Sequence, residues 1–300
     1  MRRKPKLDCV VAGEANIDLL MDGVMQLEPG TERLVNRMDV VLGGSSGITA
    51  HNLASLGAKV GFVGVLGNDS FGQIVEHRLR SAGVDLSALR RDPKEKTGIT
   101  VWLSENGKRA GVTYTGTIAM LRPADISEDY LAQARHFHVG HYFLLEKLHS
   151  SAAKLFRRAK ELGLTTSTDC NYDPTERWDS NLRKVLPHLD IFFPNDAEAM
   201  NITGAKDVPE AARQLGESAR IVVVKMGAEG AYVYTAGKGF QVPAVKTKVV
   251  DTTGAGDSFN AGFLSKFLQG ASLEECARFG AKTAARSVTR VGGTAAFEKK

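Results

Sequence analysis

Residues 251–264, DTTGAGDSFNAGFL, begin with two glycines, two aspartates and three hydroxyl side chains (251–258), ahead of a small, apolar helical pattern. The backbone N–H groups of the turn, together with the positive end of a helix beginning near Asp257, predict an anion-binding site. Asp257 itself fits two roles. It can cap the helix, or it can take the proton of an acceptor hydroxyl while the N–H groups stabilise a phosphoryl group in transfer. The second role predicts a phosphotransferase.

Apolar runs bounded by turn residues alternate with helical periodicity along the rest of the chain. Strands are predicted at 59–67, 136–145, 164–170, 190–195 and 221–227, and amphipathic helices at 71–83 and 152–163. This alternation favours an α/β fold with a central, mainly parallel sheet and helices on both faces.

Two β-rich segments interrupt the alternation. KTGITVWLSENGKRAGVTY (96–114) predicts a hairpin that turns at Asn106-Gly107, and ERLVNRMDVVLGG (32–44) is strand-like with no helix before it. We expect one domain over 1–300, with lid segments near 14–41 and 96–117 that form a small β-sheet. Surface hairpins without function are the alternative.

The composition is that of an ordinary globular protein. Hydrophobic residues make up 43% and charged residues 24%, and the net charge of +5 with a pI near 9.0 suits anionic ligands. The basic residues are scattered, which disfavours nucleic-acid binding. The three cysteines form no disulfide or zinc pattern, so we expect reduced thiols in a cytoplasmic protein. Neither a signal peptide nor a membrane-spanning run of ~20 apolar residues is found.

Polar residues follow the predicted strands, at the sheet edge where ligands bind in open α/β sheets. They are Asn16, Asp18, Asp169, Asn171, Asn195, Asp196, Glu198, Lys225 and Gly227. Each alone suits a turn or a cap, but their shared position predicts a site. Within NDAE (195–198), Asn195 and Glu198 fit either a Mg²⁺–phosphate site or an ordinary helix start.

Four motifs resemble those of the ribokinase-like (PfkB) carbohydrate kinases. DTTGAGDSFNAGFL resembles the C-terminal signature of that family, and LGGSSGITAHNLASLGAKVGFVGVLGNDSFG (42–72) the N-terminal one. PNDAEAM (194–200) resembles the family's NxxE metal motif, and GEANIDLL (13–20) its first substrate loop. The similarity extends from about residue 8 to about residue 296. It implies a ribokinase-like fold with a β-sheet lid, and a kinase that uses ATP and Mg²⁺ to phosphorylate a sugar-type alcohol.

The resemblance also implies roles for individual residues. Asp257 would be the base, and the anion hole would be formed by Gly254, Ala255 and Gly256. The implied substrate-binding residues are Asn16, Asp18, Gly44, Ser45 and Asp257. The implied nucleotide-binding residues are Lys225, Gly227, Thr253, Gly254, Gly256 and, in a helix at 278–290 near the adenine, Ala281. The implied cation-binding residues are Asn195 and Glu198, which would organise Mg²⁺ and phosphate indirectly, and Asp251 and Thr253, which would bind a monovalent cation such as K⁺. Many relatives dimerise through the lid, so a homodimer is expected.

Three positions depart from the family pattern and leave the substrate open among sugars, sugar acids and nucleosides. Ile48 stands where many members have Asn, Ser45 where ribokinases have Lys, and Asp173 where sugar-acid and fructose kinases have Arg. A nucleoside kinase and a non-catalytic regulator that binds a sugar or nucleotide remain alternatives. No GxxxxGK[ST] motif is present, which excludes a P-loop kinase, and without GxGxxG a dinucleotide dehydrogenase is poorly supported.

The histidines around 136–141 admit two interpretations. His136 and His138 alternate on one predicted strand face and His141 follows, which is compatible with a metal site. Because no matching fourth ligand is evident, we expect instead a histidine at the strand edge near the substrate pocket.

Overall fold

The protein is described by a computed structural model covering residues 5–24, 26–105 and 108–298. Its strands are β1 (Cys9–Ala12), β2 (Asn16–Asp22), β3 (Arg37–Gly43), β4 (Val60–Val63), β5 (Val65–Gly67), β6 (Arg90–Asp92), β7 (Ile99–Glu105), β8 (Lys108–Tyr114), β9 (His136–Val139), β10 (Thr165–Thr168), β11 (Ile191–Phe192), β12 (Ile221–Lys225), β13 (Ala231–Thr235) and β14 (Lys238–Val242). Its α-helices are α1 (Ser45–Ser55), α2 (Ser70–Ser81), α3 (Glu128–Leu131), α4 (Glu146–His149), α5 (Ala152–Glu161), α6 (Leu182–Val185), α7 (Asp196–Thr203), α8 (Val208–Leu215), α9 (Ala255–Phe267) and α10 (Leu273–Ser287).

The central sheet has eight strands in the order β14-β13-β12-β11-β10-β9-β1-β4. The pairings from β12 to β4 are parallel, whereas β13 and β14 continue the sheet antiparallel. Neighbouring residues of β1 belong to opposite core layers: Cys9 and Val11 to one, Val10 and Ala12 to the other. One layer lies under α1, α2, α9 and α10, and the other under α3–α8. The predicted α/β fold, a mainly parallel sheet with helices on both faces, is therefore confirmed.

Two predicted strands are shorter than the apolar runs suggested. The run 59–67 divides at Gly64 into β4 and β5, and β5 leaves the central sheet to pair with β6. The Gly64 backbone lies so close to Gly13 that a Cβ there would come within 2.8 Å of the Gly13 carbonyl oxygen, so a larger residue could not make the bend. The run 136–145 leaves the sheet after Val139, because His141 adopts a left-handed conformation (φ 50°).

A separate four-stranded sheet forms the predicted lid, in the order β3-β2-β7-β8. The hairpin is confirmed: β7 and β8 pair antiparallel up to Glu105 and Lys108, while its turn, Asn106-Gly107, lies outside the described residues. The strand expected near 33–41 begins only at Arg37. The four strands lie within or next to the two predicted lid segments.

Register assigns the lid residues to two faces. Asp18, beside Val41, Thr100 and Thr113, lies on the face that also carries Trp102. Met38 and Val112 lie on the opposite face, with Met21, Val101 and Leu103 between them. The first face is polar near β2 and the second is apolar.

The carboxyl ends of β1, β9, β10, β11 and β12 meet at one edge of the central sheet, together with the start of α9. This edge carries the polar side chains that the sequence grouped, as expected for an open α/β sheet. Within the described ranges, no helix is both long and apolar enough to cross a bilayer.

Candidate active site

The turn before α9 has the geometry of an anion site. Gly254 is the N-cap of α9 and adopts φ 67°, and a Cβ there would lie 2.8 Å from the Gly293 Cα, so only glycine fits. The helix starts at Ala255, two residues earlier than expected. The Ala255 N–H donates to the Thr252 carbonyl at 3.2 Å, whereas the Gly256 and Asp257 N–H groups have no acceptor within the helix, and the helix dipole makes this end positive.

Asp257 is the third residue of α9 and does not cap it, so the capping interpretation is wrong. The carboxylate is buried, and its Oδ1 accepts a hydrogen bond from the Ser45 hydroxyl at 2.5 Å. Burial and the neighbouring Asp169 carboxylate raise the pKa of Asp257 to about 7, although Ser45 and Lys225 act in the opposite direction. A carboxyl group with this pKa is poised to accept a proton near neutral pH.

Lys225 and Asp169 form a buried ion pair beside this turn. The Lys225 Nζ lies 2.6 Å from the Asp169 Oδ2, which also accepts from the Asn260 amide. A Cβ on Gly256 would lie 3.4 Å from the Lys225 Nζ, which places the ammonium against the first turn of α9. Although burial opposes ionisation of both groups, their mutual attraction lowers the pKa of Asp169 and raises that of Lys225. Lys225 thus adds a permanent positive charge to the anion site.

Glu14, which we did not select from the sequence, organises the start of α1. Its carboxylate accepts from the Ser45 N–H at 2.6 Å, from the Ser46 hydroxyl at 2.9 Å and lies 3.2 Å from the His141 Nδ1. Despite burial, the Glu14 charge raises the pKa of His141. Glu14 therefore fixes the residue that donates to Asp257.

Asn16 and Asp18 lie at the base of the lid, where the glycine pair makes room for them. The Asn16 amide donates to the Asp18 Oδ1 at 3.0 Å. A Cβ on Gly43 would lie 2.2 Å from that Oδ1, and one on Gly44 would lie 2.7 Å from the Asn16 Oδ1. Burial raises the pKa of Asp18 to about 6, even though Asn16 and nearby Arg109 lower it. The pair offers acceptors and donors of the kind that sugar hydroxyls need.

Asn195 and Glu198 form a capping box at the start of α7. The Asn195 Oδ1 accepts from the Glu198 N–H at 2.8 Å, and the Glu198 carboxylate accepts from the Asn195 N–H at 2.9 Å and its amide at 2.6 Å. The helix-start interpretation is thus confirmed. Glu198 is also buried beside Cys170 and Asp169, and burial, with the Asp169 charge, raises its pKa.

Asp251 braces the segment that leads into the anion turn. Its carboxylate accepts from the Thr253 N–H at 3.0 Å, from the Thr253 hydroxyl at 2.7 Å and from the Gly292 N–H at 2.8 Å. Arg109 of the lid reaches the same pair, as its guanidinium donates to the Thr253 Oγ1 at 2.6 Å. Asp251 and Thr253 are therefore adjacent in space, as the implied cation loop requires.

Other selected residues lie apart from this cluster. Gly227 occupies the turn after β12, and Ala281 is buried in the apolar layer under α10, a helix that spans Leu273–Ser287 instead of 278–290. His136 and His138 are fully buried and bond to the Thr165 and Ser167 hydroxyls of β10. His141 is the histidine at the strand edge.

Three functional candidates escaped the sequence reasoning: Glu14, Arg109 and Asn260. Asn260 follows Asp257 by one helical turn, so the helical period could have identified it. Glu14 and Arg109 carry no such local signal, because their partners are 31 and 144 residues away.

Comparison with known proteins agrees with this geometry. The family model of the pfkB family carbohydrate kinases matches residues 6–300. A cytidine kinase of Thermococcus kodakarensis is 33% identical over 95% of this chain and 98% of its own length. A structure of a probable sugar kinase from Rhizobium etli superposes with a TM-score of 0.86 at 26% identity, covering 96% of this chain and 95% of that one. The structure of Arabidopsis thaliana ribokinase complexed with ribose and ATP gives a TM-score of 0.83 at 26% identity, covering 97% and 94%.

The family match spans nearly the whole chain, and the fold agrees with the ribokinase structures. The chain belongs to the pfkB family of carbohydrate kinases and is a phosphotransferase that acts on an alcohol group of a sugar or sugar derivative.

Proposed function

We propose that this enzyme transfers the γ-phosphoryl group of ATP to a hydroxyl of a neutral sugar or nucleoside, with Asp257 as general base. The observation that carries the proposal is the position of Asp257, a buried carboxylate with a pKa of about 7 in the first turn of α9. The Asp257 carboxylate oxygen that would take the proton thus lies beside the backbone N–H groups that can bind the phosphoryl group.

In the proposed reaction, the carboxylate takes the proton of the acceptor hydroxyl as the acceptor oxygen attacks the γ-phosphorus. The bond from that phosphorus to the bridging oxygen breaks, and ADP leaves with the electron pair. The N–H groups of Gly254, Ala255 and Gly256, with Lys225 beside them, stabilise the charge on the moving group. The proton stays on Asp257 until product leaves, so Asp257 and the phosphate do not repel each other across the acceptor.

Mg²⁺ fits the neighbouring carboxylates through water. Both Glu198 oxygens already accept hydrogen bonds, from Asn195 and Cys170, so direct coordination would break the capping box. Mg²⁺ keeps several of its waters in proteins, and we propose that Asn195 and Glu198 hold it in that way. The ion would neutralise charge on the ATP phosphates.

The charges of the pocket favour an uncharged acceptor. Glu14, Asp18, Asp169 and Asp257 supply four buried carboxyl groups, whereas Lys225 and Arg109 each already lie beside a carboxylate. A sugar acid would add a further negative charge to this set. The similarity to a cytidine kinase and to a ribokinase bound to ribose supports a ribose-containing acceptor, either free or carrying a base.

We further propose that Asp251 and Thr253 bind a monovalent cation through their backbone carbonyl oxygens, because Arg109 occupies the Thr253 hydroxyl. We also propose that Thr253 and Gly227 lie along the nucleotide, and that α10 lies near the adenine. The three cysteines are free and buried, which suits a cytoplasmic enzyme. The base and the anion turn are both intact, and this argues against a regulator that has lost catalysis.

A homodimer through the lid would explain the apolar lid face. Met38 is 54% exposed and Val112 72% exposed, on the side opposite Asp18. Large exposed apolar side chains on one sheet face mark an interaction surface.

The test is a screen for ADP release with MgATP and sugars, sugar acids, polyols and nucleosides. We expect release with a neutral pentose or nucleoside, and a rate about 10²–10⁴-fold lower with the Asp257→Asn variant. A sugar acid as the best acceptor would overturn the charge argument, and full activity of Asp257→Asn would overturn the mechanism.

A further inference from the structure

Arg109 of β8 extends from the lid to the turn before α9. Its Nη1 donates to the Thr253 Oγ1 at 2.6 Å and lies 3.6 Å from the Asp251 Oδ1. Its guanidinium also stacks over Trp102 of the neighbouring strand, 3.9 Å from the ring centroid. The side chain is 28% exposed, although every residue of β8 is exposed overall. Arg109 is therefore held from two sides, by a lid residue and by the turn.

The contact reaches the anion site through few bonds. Thr253 directly precedes Gly254, and Asp251 fixes both Thr253 and Gly292. The backbone around Gly254 is tightly packed against Gly293, so a shift of Thr253 would move the N–H groups that follow. The Arg109 charge also acts on Asp18 at the base of the lid.

On the basis of the kinase activity proposed above, we propose that Arg109 is a positioning residue that couples lid closure to assembly of the anion turn. The guanidinium can donate to Thr253 only when the lid lies over the site, and in this arrangement it secures the turn that receives the phosphate. Closing the lid and ordering the turn then become one event.

This role differs from direct substrate binding in a measurable way. If Arg109 favours the closed form, its loss lowers the fraction of enzyme that can bind ligand. The affinities for ATP and for the acceptor substrate then fall by a common factor. If Arg109 instead binds the acceptor, only acceptor affinity falls. A charge-assisted hydrogen bond of this kind predicts a loss of roughly 10- to 100-fold.

The experiment measures the affinity of AMP-PNP alone and of ribose alone as the acceptor probe, with hydrogen exchange over 99–114, in the wild type, Arg109→Met and Arg109→Lys. Lys108→Met, which changes the adjacent residue of the same strand, is the control. We expect Arg109→Met to weaken both ligands equally and to accelerate exchange in the lid. Arg109→Lys should recover part of both, because an ammonium still donates to Thr253 but lacks the planar stack on Trp102.

Thr253→Val removes the hydroxyl that accepts the hydrogen bond from Arg109. This variant should therefore reproduce the faster hydrogen exchange of the lid. The proposal is wrong if Arg109→Met behaves like Lys108→Met, or if only acceptor affinity falls. AMP-PNP binding and hydrogen exchange need no turnover, so they test the role of Arg109 independently of the proposed kinase activity. Failure of every acceptor to be phosphorylated would refute the kinase proposal instead.

Discussion

Polar residues differ in burial between two regions: the edge of the central sheet, where the carboxyl ends of β1 and β9–β12 meet, and the lid sheet. At the edge, Asp169 and Asp257 are buried, and each carboxylate has a specific donor, Lys225 or Ser45. In the lid, β8 is exposed throughout. Buried charges demand fixed partners, so the Lys225–Asp169 and Ser45–Asp257 pairs of the edge are in place before any ligand arrives. The exposed residues of β8 have few such constraints, so their side chains can be replaced without leaving a buried charge unpaired.

The difference suggests a division of labour. The edge holds the groups that we propose perform phosphoryl transfer, Asp257, Lys225 and the turn before α9. Two of the three departures from the family pattern, Ser45 and Ile48, lie on α1, where the lid meets the edge, and the third, Asp173, lies in the loop after β10. We therefore expect variants at the edge to affect the rate, and variants at the lid to affect affinity and assembly.

Asp257→Asn and Asp18→Asn give the largest contrast. Loss of the base should lower kcat by about 10²–10⁴-fold, while ATP affinity persists because the anion turn is backbone. Asp18→Asn should mainly raise the KM of the acceptor, by roughly tenfold, the effect of one hydrogen bond to a charged group. Steady-state kinetics on both variants provide the measurement. Equal loss of kcat in both would remove the distinction between edge and lid.

Substitution of the two glycines of the turn, Gly254 and Gly256, should affect different properties of the protein. A methyl group at Gly256 would come no closer than 3.4 Å to its nearest neighbour, the Lys225 ammonium, so Gly256→Ala should fold normally. It would nevertheless project into the proposed phosphate position, and we expect ATP affinity to fall about tenfold, the loss of one charge-assisted hydrogen bond. Gly254→Ala should instead lower the free energy of unfolding by about 1–3 kcal/mol, because φ 67° is strained for alanine. Thermal melts and ATP titrations separate the outcomes. A destabilised Gly256→Ala with normal ATP binding would contradict this assignment.

Met38→Asp and Val112→Asp test the lid as a dimer interface. Either charge on the apolar face should halve the mass seen by sedimentation, with kcat at saturation little changed. Lys238→Asp, at the exposed edge strand β14, is the control. If sedimentation shows that the wild type is a monomer, the proposal of a dimer through the lid is wrong.

Much of the fold, and the position of Asp257 beside the turn before α9, could be predicted from the sequence. Alternating periodicities indicated the parallel sheet, and DTTGAGD identified Asp257. The length of β4 could not be predicted, because a glycine within an apolar run suits both a continuous strand and a bend; here Gly64 bends. His136 and His138 misled in the same way, since alternation shows a shared face but not what covers it. Glu14 and Arg109 act across long sequence separations, which local patterns cannot reveal.

Asp257 should also leave a small signature in stability. The unfolded carboxyl group ionises near pH 4, whereas the folded one ionises at about pH 7. The folded state therefore retains a proton between these values, so raising the pH from about 4 to about 7 destabilises the wild type, and the loss levels off above pH 7. Relative to the wild type, Asp257→Asn should gain about 1 kcal/mol of unfolding free energy between pH 6 and pH 8. Urea unfolding at both values measures this gain. A constant difference between the proteins would show that Asp257 does not titrate in this range.

The central claim is that Asp257, held by the Ser45 hydroxyl, is the base. The most direct test is the pH dependence of kcat/KM for the acceptor at saturating MgATP, in the wild type, Ser45→Ala and Ser46→Ala. The wild-type rate should rise with pH and reach half its maximum near the Asp257 pKa of about 7. Ser45→Ala removes a donor to the carboxylate and should displace that midpoint upward by about one pH unit. Ser46→Ala, whose hydroxyl bonds to Glu14, should leave it in place. An unchanged midpoint in Ser45→Ala, or a rate independent of pH, would contradict the claim.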